Sequence, residues 1–183
     1  MPAFFGYCAL ETTTGLWAST YLVKQRGISI ETAALFAAFF FTGITAGRFV
    51  SGLIANKLGD KRMIDIGLII ILIGIVAVWL PLETNLLCLG GLIIIGVGCA
   101  PVYPAIIHST PANFGAENSQ AIVGVQMASA YSGSTLMPPL FGLIANGVGL
   151  WVYPVFLFSL LILMLVMTSM LNRAVEAKGR KNL

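Results

Sequence analysis

The chain has 183 residues, of which 58% are hydrophobic and only 9% charged, against roughly 25% charged in a soluble domain. Its mean hydropathy is +0.94. That is more apolar surface than one soluble core can hide, so the composition excludes a water-soluble domain and implies an integral membrane protein. The net charge of +3 is small, and the placement of Lys and Arg says more than their sum. Cys8, Cys88 and Cys99 all lie in apolar runs with no CxxC or zinc spacing, so they read as small packing residues. Residues 1–22 lack a basic leader region, and Glu11 interrupts what would be the apolar core of a secretory signal.

A membrane-spanning helix needs about 20 predominantly apolar residues. Six runs qualify, at about 2–23, 32–55, 63–80, 86–107, 119–145 and 151–171, followed by a basic tail over 172–183. Lys24, Arg26 and Glu31 sit in the first loop. Pro81, Glu83 and Asn85 mark the turn after span three. His108 to Asn118 form a polar loop with Pro111 and Glu117. Span one contains Thr12-Thr-Thr-Gly15, which weakens the helix and predicts a bend or break at its centre. Span four is broken late by Pro101 and Pro104, and span five holds Pro138-Pro139.

Six crossings put both termini on one side. That side carries Lys57, Lys61, Arg62, Arg173, Lys178, Arg180 and Lys181, and the other carries Lys24 and Arg26. The positive-inside rule then predicts cytoplasmic termini in a multi-pass cell-membrane protein. The chain also repeats itself. Gly142-Leu-Ile-Ala-Asn146 copies Gly52-Leu-Ile-Ala-Asn56 letter for letter, and at the same offset Gly43 aligns with Gly133, Thr45 with Thr135 and Gly59 with Gly149. The first copy leads into Lys57, Asp60, Lys61 and Arg62, whereas the second leads into the uncharged Gly147-Val-Gly-Leu150. A helix end duplicated across three spans, charged once and neutral once, predicts two three-helix units inserted in opposite senses, as in transporters built from inverted repeats.

Small residues recur every fourth position along span two (Gly43, Gly47, Ser51, Ala55) and span five (Gly124, Ala128, Ser132), which predicts close helix contacts there. Leu68 to Leu80 and Val152 to Leu171 carry no charge or side-chain amide, so spans three and six are expected as outer supports. Spans one, two, four and five would line a passage.

Glu11 is the principal candidate for chemistry. It lies about 15 Å along span one at ~1.5 Å per residue, near the midplane of a roughly 30 Å hydrocarbon core. An ionised carboxylate costs on the order of 2.5–3.5 kcal/mol there, and burial raises its proton affinity, which suits proton coupling. The alternative is a fixed, hydrogen-bonded carboxylate that locks helices together. Tyr7 and Thr14 share its face, and Trp17 and Tyr21 pair at spacing four. Such groups suit a sugar-like solute, and Tyr21 equally suits an interfacial aromatic belt. Tyr103, Gln126, Ser129 and Tyr131 complete the cavity candidates. Arg48 stands two turns before the basic loop, with Glu117 or Asp60 as expected partners in a gate latch that also includes Asn56, Lys57, Lys61 and Arg62. His108 reads as a wetted loop histidine. No catalytic pairing, metal cluster, phosphate-cradling loop or nucleic-acid motif is present, so neither an enzyme nor a cofactor is expected. Gly96-Val-Gly98 lies inside a span and fails the strand–turn–helix test.

Gly52-x3-Asn56-Lys57-x-Gly59-Asp60-Lys61 resembles the cytoplasmic signature loop of the major facilitator superfamily, whose pattern is Gly-x3-Asp-Arg/Lys-x-Gly-x-Arg/Lys. Arg48 matches an arginine that often precedes that loop. Tyr7-x3-Glu11-x5-Trp17-x3-Tyr21-Leu22, Ala100-Pro-Val-Tyr-Pro104 and Gly133-x4-Pro138-x3-Gly142 resemble helices one, four and five of the second half of fucose-permease-like members. The resemblance implies an all-α fold of six transmembrane helices as a 3+3 inverted repeat, half of a twelve-helix transporter. It also implies alternating-access transport of a small polar solute such as a monosaccharide, coupled to protons. Asn56 replaces the usual Asp, which weakens a charge-based latch at that position. Met1 stands almost on the first span. The expected partners are membrane lipid, the solute, protons and a second six-helix half, whether the missing N-terminal half of a longer protein, a separate chain or a second copy. Drug or metabolite efflux, or a non-transporting product kept for assembly or regulation, are the alternatives.

Overall fold

The computed structural model describes residues 2–80 and 85–181, with side chains at all of these except 2, 113, 116 and 174–181. The turn expected at Pro81 and Glu83, and the side chains of Lys178, Arg180 and Lys181, lie outside the described residues. The described chain is almost wholly helical: α1 (Pro2–Arg26), α2 (Ile30–Leu58), α3 (Asp60–Trp79), α4 (Leu86–Cys99), α5 (Val102–His108), α6 (Thr110–Phe114), α7 (Ala116–Val148), a 3-10 turn (Leu150–Val152) and α8 (Tyr153–Lys181). Four stretches are long and apolar enough to cross a membrane: Ile30–Leu58, Asp60–Trp79, Leu86–His108 and Leu150–Arg173. The helices α1 and α7 have the length, at 25 and 33 residues, and hold the polar residues of interest.

Local chemistry explains the helix ends. Ser29 caps α2 by accepting from the Thr32 N–H, and Glu31 and Lys57 complement the helix dipole at its two ends. Gly59 closes α2 with φ 77° and an N–H donated to the Ala55 carbonyl, and α3 starts at the next residue. Gly149, its counterpart in the repeat, closes α7 with φ 110° and an N–H donated to Ala145. This left-handed backbone strains any side chain, which is why glycine recurs at both corners. The two corners lie at opposite ends of the bundle. Ala3, Lys61, Thr110 and Asn172 share a recess at one end, and Tyr21, Arg26, Trp79 and Trp151 share one at the other.

The helices interlock across the repeat. α2 packs on α4, α3 on α4 and α8, and α1 on α7 and α8. Glycines let backbones touch at these crossings. A Cβ at Gly43 would sit 2.7 Å from the Ile93 carbonyl oxygen, and one at Gly133 would sit 2.5 Å from that of Phe5. One at Gly96 would collide with the Phe40 carbonyl. In lipid, where apolarity alone drives no association, such contacts carry the packing.

Two expectations need correction. No break occurs in α1: it runs through Thr12-Thr-Thr-Gly15, where the Thr14 hydroxyl bonds back to the Leu10 carbonyl at 2.7 Å, a contact of the kind that bends a helix without ending it. Helix α7 likewise runs through Pro138 and Pro139, whereas the break at Pro101 occurs, between α4 and α5. The Gly124, Ala128, Ser132 stripe of α7 is exposed, and the face that packs carries Gln126, Ala130, Gly133 and Phe141 instead. α2 is the least buried of the four apolar stretches. Its Gly43–Gly47 edge is fixed on α4, so Leu35, Phe39, Phe49, Val50 and Leu53 point outward. α3, between α4 and α8, exposes only the line Ile66, Ile69, Ile73, Val76 of its apolar residues besides Trp79.

Candidate functional site

Charge is scarce within the six apolar runs: Glu11, Arg48 and, close to the basic loop, Asp65. The structure brings the first two together. Arg48 Nη2 lies 4.0 Å from Glu11 Oε1, with the side chains 51% and 23% accessible respectively. Arg48 therefore meets Glu11 rather than the expected Glu117 or Asp60. The reason is rotational. Gly43 and Gly47 face α4, and the residue after Gly47, about 100° further round the helix, turns to the side shared with α1.

Around this pair the aromatic residues of α1 and α5 gather. The rings of Tyr7 and Tyr103 lie 6.1 Å apart, and those of Phe4 and Tyr103 lie 5.0 Å apart. The Tyr103 hydroxyl donates to Met127 Sδ at 3.6 Å. The Thr13 hydroxyl is buried without a hydrogen-bond partner, and the Tyr7 hydroxyl is buried within electrostatic reach of Glu11. Other predicted residues are committed elsewhere. Thr14 is fully buried, and its backbone carbonyl accepts from Tyr153 at 3.2 Å. Trp17 Nε1 donates to the Pro138 carbonyl at 3.0 Å, with its ring edge-on to Phe141. Tyr21 reaches the Val78 carbonyl and stacks near Tyr153. Gln126 exchanges hydrogen bonds with Thr110 at 3.1 and 3.2 Å, away from Glu11. Tyr131 is exposed on α7.

A cavity of about 570 Å³ opens at the basic corner and runs inward between α2, the start of α3 and α5. Asn56, Asp60 and His108 line its outer part, and Ser51, Arg48, Tyr103 and Pro101 its inner part. Across its mouth His108 Nδ1 meets Asp60 Oδ2 at 2.8 Å and Oδ1 at 3.1 Å. His108 is exposed, but it is partnered, unlike the free loop histidine expected. The hydrogen bond and negative charge of Asp60 raise its pKa above the ordinary histidine value. Forty-eight residues separate the two, so only the fold could pair them. Lys57, Lys61 and Arg62 are exposed at the same corner. Among the described residues, no group of three or more His, Cys, Asp or Glu side chains is placed to hold a metal ion.

The charged corner, the interior Arg48 and the glycine-packed bundle coincide with a family match. Residues 1–182 match the family model of the Major Facilitator Superfamily. The chain belongs to the major facilitator superfamily. An uncharacterized MFS-type transporter of Yersinia pestis is 26% identical over 136 residues, which cover 71% of this chain and 33% of that protein. The chain thus spans about a third of the length of the curated relative it matches. Superfamily membership makes it a multi-pass membrane protein of a transporter family. In that setting Gly52, Ala55, Asn56, Gly59 and Asp60 of the signature-like loop form one wall of the cavity, and Arg48 stands at its inner end.

Proposed function

We propose that this chain is one six-helix half, a 3+3 inverted repeat, of a secondary transporter that moves a small polar solute by alternating access with proton coupling. Its fucose-permease-like motifs favour a solute of sugar size. The observation that carries the reading is the Glu11–Arg48 contact at 4.0 Å, between two helices otherwise without charge at that depth. A carboxylate beside a guanidinium has two states: ionised and paired, or protonated and released. The second state frees Arg48, so a proton on Glu11 changes what the cavity offers a solute. The exposed face of α7, with Gly124, Ala128 and Ser132, is the surface a second six-helix half would cover, and the basic corner would face the cytoplasm. The test is Glu11→Gln, assayed in vesicles holding both halves. Proton-driven uptake should be abolished while solute exchange down its own gradient continues. Uptake still driven by a proton gradient would reduce Glu11 to a structural role.

A further inference from the structure

The cavity gives the solute a charge. Three lining side chains can be charged: Arg48, Asp60 and His108. Asp60 and His108 answer each other across the mouth. Arg48 lines the cavity, with the less exposed Glu11 carboxylate 4.0 Å to one side. Arg48 makes no hydrogen bond among the described residues, and its one contact, at 4.0 Å, is too long to be one. Five N–H donors in a planar fork therefore stand half exposed at the inner part of a solute-sized space. A carboxylate matches that fork with two parallel hydrogen bonds, whereas a neutral sugar leaves the charge uncompensated.

Resting on the transport reading above, we infer that the solute is a small organic acid whose carboxylate is held by Arg48 in place of Glu11. Asn56 and Tyr103, on opposite walls, supply neutral polar groups for hydroxyl or keto oxygens. The ionisable groups within electrostatic reach of Glu11 are Arg48 from α2, Tyr7 and Cys8 from α1, and Cys99 from α4. Helices α7 and α8 add none at that depth, because residues 118–172 contain no charged side chain. Arg48 is thus the one fixed positive charge shared by Glu11 and the cavity. A proton on Glu11 and an acid anion on Arg48 favour each other.

The test uses the purified chain in mild detergent, with thermal unfolding as readout. The probes are lactate, gluconate and glucuronate, set against glucose, fucose and equal concentrations of chloride. The acids should raise the melting temperature saturably and the neutral sugars should not. Arg48→Gln should weaken acid binding about tenfold or more, Arg48→Lys should retain part of it, and Glu11→Gln should tighten it. Retention by the lysine variant separates loss of charge from loss of fold. Protection by neutral sugars alone would overturn the inference and leave the transport reading standing. So would acid protection that survives Arg48→Gln. No acid effect beyond chloride would also overturn it. Acid that binds through Arg48 yet never crosses vesicles containing both halves would instead sink the transport reading and keep the anion site.

Discussion

Two side chains define what single residues do here. The Thr13 hydroxyl is buried with no hydrogen-bond partner. An unmatched hydroxyl of this kind costs about 1–3 kcal/mol of desolvation. Thr13→Val keeps the branched shape while removing that cost, so the chain should melt higher in detergent by the equivalent of ~1 kcal/mol. His108 offers a second measurement. Its pKa is raised by Asp60, so the charged pair is fully formed below the ordinary histidine value and is lost as pH rises through the raised one. An NMR titration of the imidazole should show its midpoint above about 6.5 and a return toward that value in Asp60→Asn. The sequence showed that Glu11 and Arg48 were anomalous, since a charge inside an apolar run is costly wherever it faces. It did not show that they meet. Counting along one helix gives depth, but the partner depends on how two helices are rotated, and small residues elsewhere on α2 set that rotation.

At the scale of the helix, glycines decide how close backbones come. Gly96 of α4 is pressed on the Phe40 carbonyl of α2, whereas a Cβ at Gly90 meets nothing within 4 Å. Gly96→Val should therefore destabilise the chain by about 1–3 kcal/mol or prevent its assembly, while Gly90→Ala should leave its melting nearly unchanged. A comparison of the two variants in detergent separates crowding from helix propensity, which favours either replacement over glycine. The same contacts explain the uneven legibility of the elements. The four-residue spacing of Gly43, Gly47 and Ser51 correctly marked a packed edge of α2. The identical spacing of Gly124, Ala128 and Ser132 marked an exposed face of α7. Spacing identifies a face able to pack and is silent on whether a partner is present in the same chain. The threonines of α1 marked a weak point rather than an end, because the back-bond of Thr14 to Leu10 loosens a helix without interrupting it.

For the molecule as a whole, the pentapeptide repeat was the most informative signal, because its two copies end their helices with the same glycine geometry at opposite ends of the bundle. That placement makes orientation testable by labelling. In a background without the native cysteines, Lys61→Cys should react with a membrane-impermeant thiol reagent only after cells are permeabilised, and Asn146→Cys should react in intact cells. Both residues are exposed, so accessibility depends on the side of the membrane alone. Labelling of both from one side would remove the inverted repeat. The interlocking of helices also has a consequence for how the protein is made. Trp17 finds its acceptor in Pro138, 121 residues later, and the Thr14 carbonyl finds its donor in Tyr153, 139 residues later. At ribosomal speeds of about 5–20 residues per second, roughly 6–25 s pass before the first of these partners has been translated. Over that interval the Trp17 indole and the Thr14 carbonyl lack their native partners, so this edge of α1 closes only after α7 and α8 have been made.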